Sequence, residues 1–234
     1  GRQVEYSWLV ERWQQMKAGI LWIEGEAGIG KTRLVNEFLG YAETQGSSLL
    51  QVRGTQSQAL PYAPWIAALR AVPGLAQKAS QCTPHTALLD YLLSEQSGPP
   101  PDLPISHADP PAMERQRLFK AIQALLRVGF MEGLILSVDD AHQMDQPSLD
   151  LLVFLARRWI IVLTCRSEET PPDHPLRRVV QPLRLEKQCC RLKLERLGDA
   201  DVRELVQQLA HTEQPVLADQ LTGQVGGNPL FIIA

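Results

Sequence analysis

No apolar run in this chain approaches the roughly 18 residues needed to cross a bilayer, so no transmembrane helix and no membrane partner are expected. No signal peptide is visible. The sequence opens at Gly1 rather than methionine, which places the natural N-terminus outside it by expectation. Cysteine is scarce. Cys82, Cys165, Cys189 and Cys190 form no Cys-x2-Cys pair, and the adjacent Cys189 and Cys190 cannot readily chelate one metal together. Cys165 sits in an apolar strand pattern and reads as a buried thiol. The histidines are scattered, so no zinc site is expected. Without a secretion signal, a reducing cytoplasm is the simplest location. A net charge of −3 argues against this segment being a main nucleic-acid-binding surface. With 234 residues, 44% hydrophobic and 21% charged, the chain has the composition of a soluble globular protein able to bury a sizeable core.

Within that frame one stretch carries most of the chemistry. Gly25-Glu26-Ala27-Gly28-Ile29-Gly30-Lys31-Thr32 fits Gly-x4-Gly-Lys-Ser/Thr. It lies between a buried-strand pattern, Ile20 to Ile23, and a helical pattern with Leu34, Val35, Phe38 and Leu39 on one face. Strand, glycine-rich loop and helix are the context a phosphate-binding loop needs. Glycines let successive N–H groups point into one cavity, and the following helix adds partial positive charge at its N-terminus. Lys31 is placed to neutralise β- and γ-phosphate oxygens, and the Thr32 hydroxyl to ligate Mg²⁺. The candidate nucleotide-binding residues here run from Gly25 through Arg33.

Helical and strand patterns alternate along most of the chain. Helices are predicted over 5–17, to about 43, from 62, over 83–95, 113–128 and 148–158, and strands over 20–23, 48–53, 134–138, 159–164 and 191–194. Such alternation implies right-handed β-α-β crossovers and an α/β fold, a parallel sheet with helices on both faces. Residues 97–111 hold six prolines and read as a long surface loop. From Gly198 the pattern is purely helical, with stripes at Val202, Leu205, Val206 and Leu209 and at Val216, Leu217 and Leu221. That change sets a boundary between a P-loop core, 1–197, and a small helical lid, 198–234. The junction of Arg158 with Trp159 carries no turn residue, and helix-to-strand connections normally need about two to six residues. It predicts that a connecting segment is missing there.

Leu134 to Val138 is an apolar strand ending in Asp139 and Asp140. Ligands of doubly wound sheets sit at the carboxyl ends of strands, so an acid there can reach the phosphate loop. Asp139 is expected in the Mg²⁺ shell with Thr32, and Asp140 is placed to orient or deprotonate the attacking water. A solvated strand end capping the next helix would look the same in isolation. Asp145, before Gln-Pro-Ser-Leu, reads as a helix N-cap rather than a catalytic group, and His142 as structural. Arg166, closing the fourth strand, either contacts the γ-phosphate or pairs with Asp139 or Asp140 when the site is empty.

With these pieces in order, the chain resembles the STAND branch of the AAA+ ATPases. The resemblance rests on Gly1-Arg2 with Glu5, GEAGIGKTRL at 25–34, LPYAPW at 60–65, SVDDAHQMDQPSLDLL at 137–152, LTCR at 163–166 and GGNPLF at 226–231. It looks most like the nucleotide-binding domains of large LuxR-type and SARP-type bacterial transcription regulators. The resemblance implies that Gly1, Arg2 and Gln3 line an adenine pocket and that Pro229 packs on the base, although Gly-Gly-Asn-Pro also serves as a plain helix stop. Where the family often has tryptophan, this chain has Gln143 or Met144. The family continues into a winged-helix domain and sensor repeats, so effector and sensor domains, and any DNA contact, would lie outside this sequence. Many relatives form homo-oligomers when active, and Arg157 and Arg158 are candidates for completing a neighbour's site only because they lie exposed at a helix end, where a C-terminal dipole contact is the simpler account of them.

The resulting expectation is an ATP/ADP- and Mg²⁺-binding domain that hydrolyses ATP slowly as a regulatory switch. Two other readings stay open: a small-molecule phosphotransferase, with an acceptor site around 54–95, and a scaffold that holds ADP without turnover.

Overall fold

The structure is a computed structural model and describes residues 2–55, 61–94, 111–130, 133–210 and 227–230. Helix α1 (Gln3–Gln15) precedes strand β1 (Gly19–Gly25), and α2 (Lys31–Thr44) leads to β2 (Leu49–Arg53). A helical insertion follows: α3 (Ala63–Ala71), the short α4 (Leu75–Lys78), α5 (Thr86–Leu93) and α6 (Pro111–Gly129). The chain then returns through β3 (Ile135–Asp139), α7 (Gln146–Ala156), β4 (Ile160–Arg166), α8 (Pro175–Leu185), β5 (Cys189–Lys193) and α9 (Asp199–Ala210). The five strands form one sheet in the order β2-β3-β4-β1-β5. Every pairing is parallel.

The sheet is covered on both faces, and the strand sequences show why. Successive side chains of a strand point to opposite faces. In β1, Ile20 and Trp22 pack in one cluster with α3, α6, α7 and α8, while Leu21 and Ile23 pack in a second cluster with α1 and α2. In β4, Ile161, Leu163 and Cys165 join the first cluster, and Ile160 and Val162 the second. Apolar residues at every position, rather than every second one, are what a strand buried on both faces requires. Phe38 and Leu39 of α2 and Leu9 of α1 close the thinner layer. Trp65 is fully buried and donates its indole N–H to the Ser148 carbonyl (3.1 Å), which fixes α3 on α7. The carboxyl ends of β1, β3 and β4 therefore meet on one edge, where Gly25, Asp139 and Arg166 emerge.

Several expectations need correction. The segment 175–185 forms α8, which the sequence pattern did not indicate, because Pro182 interrupts it and three arginines are interspersed among its apolar residues. Its apolar side, Leu176, Val180 and Leu183, is buried, so tertiary packing overrides the proline. The expected missing segment at Arg158–Trp159 is not needed. Helix α7 ends at Ala156, and the amides of Arg158 (2.9 Å) and Trp159 (3.0 Å) both donate to the Leu155 carbonyl, closing the connection as a tight three-residue turn. Helix α5 begins at Thr86, later than its apolar pattern suggested. Asp145 is the N-cap of α7, accepting from Ser148 N (2.9 Å) and Ser148 Oγ (2.6 Å). Cys165 is buried and accepts the Trp22 indole N–H at 3.1 Å; burial raises its thiol pKa. Met144, where the family often has tryptophan, packs in the larger cluster. Among the described residues no helix is long and apolar enough to cross a membrane. The proline-rich 97–110 and the apolar stripe at Val216, Leu217 and Leu221 lie outside the described residues.

One buried charge stands in β1 itself. Glu24 is 1% exposed and pairs with Arg177 of α8 (3.2 Å) and with Arg191 of β5. Arg177 also lies over the Trp22 ring, 5.5 Å from its centroid. A buried carboxylate without its partners is costly, and one with them clamps α8 and the edge strand to β1. Glu24→Ala, which strands two arginines beside β1, is expected to lower unfolding free energy by about 3 kcal/mol. Urea denaturation checks this, and an unchanged midpoint would count against the clamp.

Candidate functional site

The loop 25–32 turns tightly between β1 and α2. Gly28 and Gly30 have φ of +75° and +99°, values that side-chain-bearing residues rarely adopt. Gly28 is constrained a second time: a Cβ there would come within 2.5 Å of Leu230 Cβ. Helix α2 opens at Lys31 with Gly30 as its N-cap, no side-chain cap and no acidic residue in its first turn. Its first amides are therefore left for an external acceptor, and the helix end carries partial positive charge.

Lys31 is buried, 7% exposed, and its Nζ donates to the carbonyls of Gly25 (2.8 Å) and Glu26 (2.7 Å). Among the described residues no carboxylate lies within ion-pair distance of it. Burial lowers its pKa, and the Glu168 and Asp140 charges oppose that shift. A buried ammonium held only by neutral carbonyls is an electrostatic deficit that an anion would fill. The donor set fits a phosphate chain.

On the neighbouring strand ends, Thr32 Oγ1 donates to Asp139 at 3.1 Å from Oδ1 and 3.2 Å from Oδ2. Thr164 of β4 is 1% exposed; its hydroxyl donates to Asp139 Oδ1 at 2.5 Å and accepts from the Asp140 amide at 3.0 Å. A single buried hydroxyl thus fixes both members of the acidic pair. Hydroxyl and carboxylate oxygens are the ligands Mg²⁺ takes, and Thr32 and Asp139 are the residues here that would hold it. Bound there, the ion would neutralise charge on phosphate oxygens.

Asp140 adopts a left-handed conformation (φ 52°), which turns the chain out of β3 and leaves its side chain partly exposed. Arg166 Nε lies 3.8 Å from Asp140 Oδ1, and its Nη1 donates to Glu169 at 2.7 Å. Its contact is with Asp140 rather than Asp139, and the Glu169 bond chiefly raises its pKa. His142 is buried, with Nε2 3.2 Å from Glu169 Oε2 and Nδ1 3.9 Å from Asp140, yet neither nitrogen meets hydrogen-bond geometry.

A cavity of about 410 Å³ opens on the other side of the loop. Gly28, Ile29, Gly30 and Arg33 line it from the loop and α2, Arg2, Gln3 and Tyr6 from the N-terminal end, Asp201 and Glu204 from α9, and Pro229 and Leu230 from the turn 227–230. Arg2 is held by Glu5 (2.6 Å) and by the carbonyls of Glu195 (2.7 Å) and Ile29 (3.2 Å), so its guanidinium braces the wall. Gly1 lies outside the described residues. Glu26 pairs with Arg196 at the surface (2.9 Å). Arg157 pairs with Glu186 (3.0 Å), and Arg158 lies over the Trp159 ring.

Three groups escaped the sequence reading. Thr164 carries a single signal in the sequence, a polar residue among apolar ones in a buried strand. Asn228 is 4% exposed and donates from Nδ2 to the Ala27 carbonyl at 3.0 Å, tying the turn to the loop. Glu168 accepts the Ala27 amide at 2.9 Å.

The sheet order, the loop and the acid-ended strand define a P-loop NTPase fold. The AAA ATPase domain family matches residues 1–163, and the chain belongs to that family. No curated protein matches it in sequence. Among solved structures it is similar to a Signal Transduction ATPase with Numerous Domains (STAND) protein with a tetratricopeptide repeat sensor from Pyrococcus horikoshii. That match has a TM-score of 0.53 and 15% identity, over 99% of this chain and 28% of that one. It is also similar to AMPPCP-bound DnaA from Aquifex aeolicus (TM-score 0.52, 14% identity, 100% of this chain and 59% of that one). Domain III of DnaA from Thermotoga maritima matches with a TM-score of 0.51 and 15% identity, over 98% of this chain and 78% of that one. The chain thus spans less than two thirds of the first two structures, and likeness at this identity shows the fold alone.

Burial lowers the His142 pKa below its ordinary 6.5, against the opposing pull of Asp140 and Glu169 and with Arg166 and Lys31 adding to it. His174 is lowered too, by burial and then by His142 and Arg177. The unfolded chain therefore takes up these protons first. Stability is fully present above the ordinary value and is lost as pH falls through it towards the lowered folded values. The thermal midpoint is expected to drop between about pH 7 and about pH 5.5, with a shallower drop for His142→Gln. Equal slopes for parent and variant would remove His142 from this effect.

Proposed function

We propose that this chain is the ATP-dependent switch of a larger signalling protein of the STAND kind. The observation that carries the reading is the Asn228–Ala27 hydrogen bond. It joins the C-terminal turn to the phosphate loop across 201 residues, so whatever fills the loop bears on the part of the chain that follows the sheet. In this reading ATP lies with its base in the cavity beside Arg2, Gln3, Tyr6 and Pro229. Its phosphates meet the amides of 27–33 and Lys31, and its terminal phosphate faces Asp140 and Arg166. Thr32 and Asp139 hold Mg²⁺. Asp140 orients the attacking water, and Arg166, released from Asp140, reports the terminal phosphate. Residues 1–197 act as the core and 198–234 as the lid, with α9 lining the cavity they share.

Hydrolysis removes the phosphate that holds core and lid together, so a slow rate acts as a timer. Moving such a switch from 1:99 to 99:1 requires about 5.5 kcal/mol of differential binding, within reach of several charge-assisted contacts. The resemblance to LuxR-type and SARP-type regulators supports a cytoplasmic transcription regulator. Its DNA contact and sensor would reside in other domains, and its active form would be a homo-oligomer.

Lys31→Ala is expected to weaken ATP binding by about 100-fold or more, since it deletes the buried ammonium of the loop. Asp140→Asn should bind ATP as the parent does and release phosphate about 100-fold more slowly. Calorimetry and a phosphate-release assay in ATP and Mg²⁺ alone provide both readouts. Turnover that appears only with an added acceptor would favour a phosphotransferase instead, and copurified ADP without turnover a static scaffold.

A further inference from the structure

The turn after β4 places an anion where the proposed terminal phosphate would go. Ser167 N–H donates to the Gly25 carbonyl at 3.3 Å, and Thr170, 1% exposed, donates its hydroxyl to the Arg166 carbonyl at 2.6 Å. These bonds seat the turn against the first residue of the loop. From its tip the Glu168 carboxylate accepts the Ala27 amide at 2.9 Å, with its other oxygen 3.3 Å from the Ser167 hydroxyl. Burial raises the Glu168 pKa, but hydrogen bonds from its own amide, Ala27 and Ser167, with the Lys31 charge, outweigh that and hold it below the ordinary carboxylate range. It is therefore a carboxylate at neutral pH. It supplies the largest charge opposing the Lys31 shift.

Its position relative to a nucleotide follows from the two sides of the loop. The cavity that suits a base is lined by Gly28, Gly30, Arg33 and Pro229. Asp139, Thr164 and Arg166 stand on the β3–β4 side, and Glu168 reaches the loop from there. A triphosphate laid from the cavity along the loop towards the acids would bring its last phosphate to the Ala27 amide that Glu168 holds, and a diphosphate laid the same way would end nearer the cavity. The neighbouring Glu169 is already engaged by Arg166 (2.7 Å) and stands 3.2 Å from His142. Glu168 is exposed and can withdraw by a side-chain rotation while the seated turn stays in place.

We infer that Glu168 is a specificity-determining residue of this site: its carboxylate occupies the Ala27 amide in competition with a terminal phosphate, and so biases binding towards ADP over ATP. The inference rests on the nucleotide-binding reading above. ATP must break the Glu168–Ala27 bond and turn a like charge away from the phosphate; ADP need do neither.

The test measures calorimetric dissociation constants for ATP and ADP, both in Mg²⁺, on the parent chain, Glu168→Gln and Glu168→Ala. The melting temperatures of the unliganded proteins verify that the exposed substitutions leave the fold intact. Both variants are expected to bind ATP about fivefold more tightly than the parent, with ADP affinity unchanged. The gain should shrink in high salt, because the repulsion removed is partly solvent-exposed. Equal changes for both nucleotides, no change, or weaker ATP binding would overturn the role of Glu168 while leaving the nucleotide site intact. A parent chain that binds neither nucleotide would overturn the site itself, and Glu168 with it.

Discussion

A lysine ammonium taken out of water and left among carbonyl groups is the interaction around which this molecule is arranged. Lys31 begins α2, so its charge adds to the partial charge of the helix end and to the unclaimed amides of the first turn. Ammonium, helix end and amides lie together at the start of α2. Nothing in the described fold neutralises them fully. The Glu168 carboxylate approaches from one side, and Asp139 is already committed to Thr32 and Thr164. Such a site is stable because the rest of the fold holds it open, and it is a site for anions because of what it lacks.

Holding it open is the work of the sheet. Strand β1 is the only strand whose carboxyl end passes straight into the loop, and it sits between β4 and β5 with both faces covered. The Glu24 clamp to α8 and β5 stiffens the same strand one residue before the loop begins. Thr164 does on β4 what Glu24 does on β1. It fixes functional groups of a neighbouring strand through a buried polar contact whose loss would leave unpaired partners. The acidic pair at the end of β3 therefore reaches the loop in a set geometry.

Much of this was legible in the residues. The loop, the double-faced strands and the acid-ended strand β3 announce themselves because each is written in consecutive positions, and the resemblance to the STAND ATPases assembled them in order. What stayed hidden lies between elements distant in sequence. Thr164 is ordinary until β4 is set beside β3, Glu168 until its turn is seated on Gly25, and Asn228 until the C-terminal turn lands on Ala27. Helix α8 was missed for a different reason. Pro182 and three interspersed arginines mask its apolar side, Leu176, Val180 and Leu183, and its stability comes from the sheet it covers rather than from its own propensity. The abrupt join before Trp159 misled in the opposite sense, because Leu155 can serve two successive amides with one carbonyl.

The contact between Asn228 and Ala27 also has a meaning in time. Its partners are 201 positions apart. At synthesis rates of about 5–20 residues per second, the loop is made roughly 10–40 s before the residue that ties it down. For that interval the growing chain carries an anion-seeking loop without the turn that tethers it. The loop is tied down only when the turn at 227–230 has been made, long after the strand and helix that flank it.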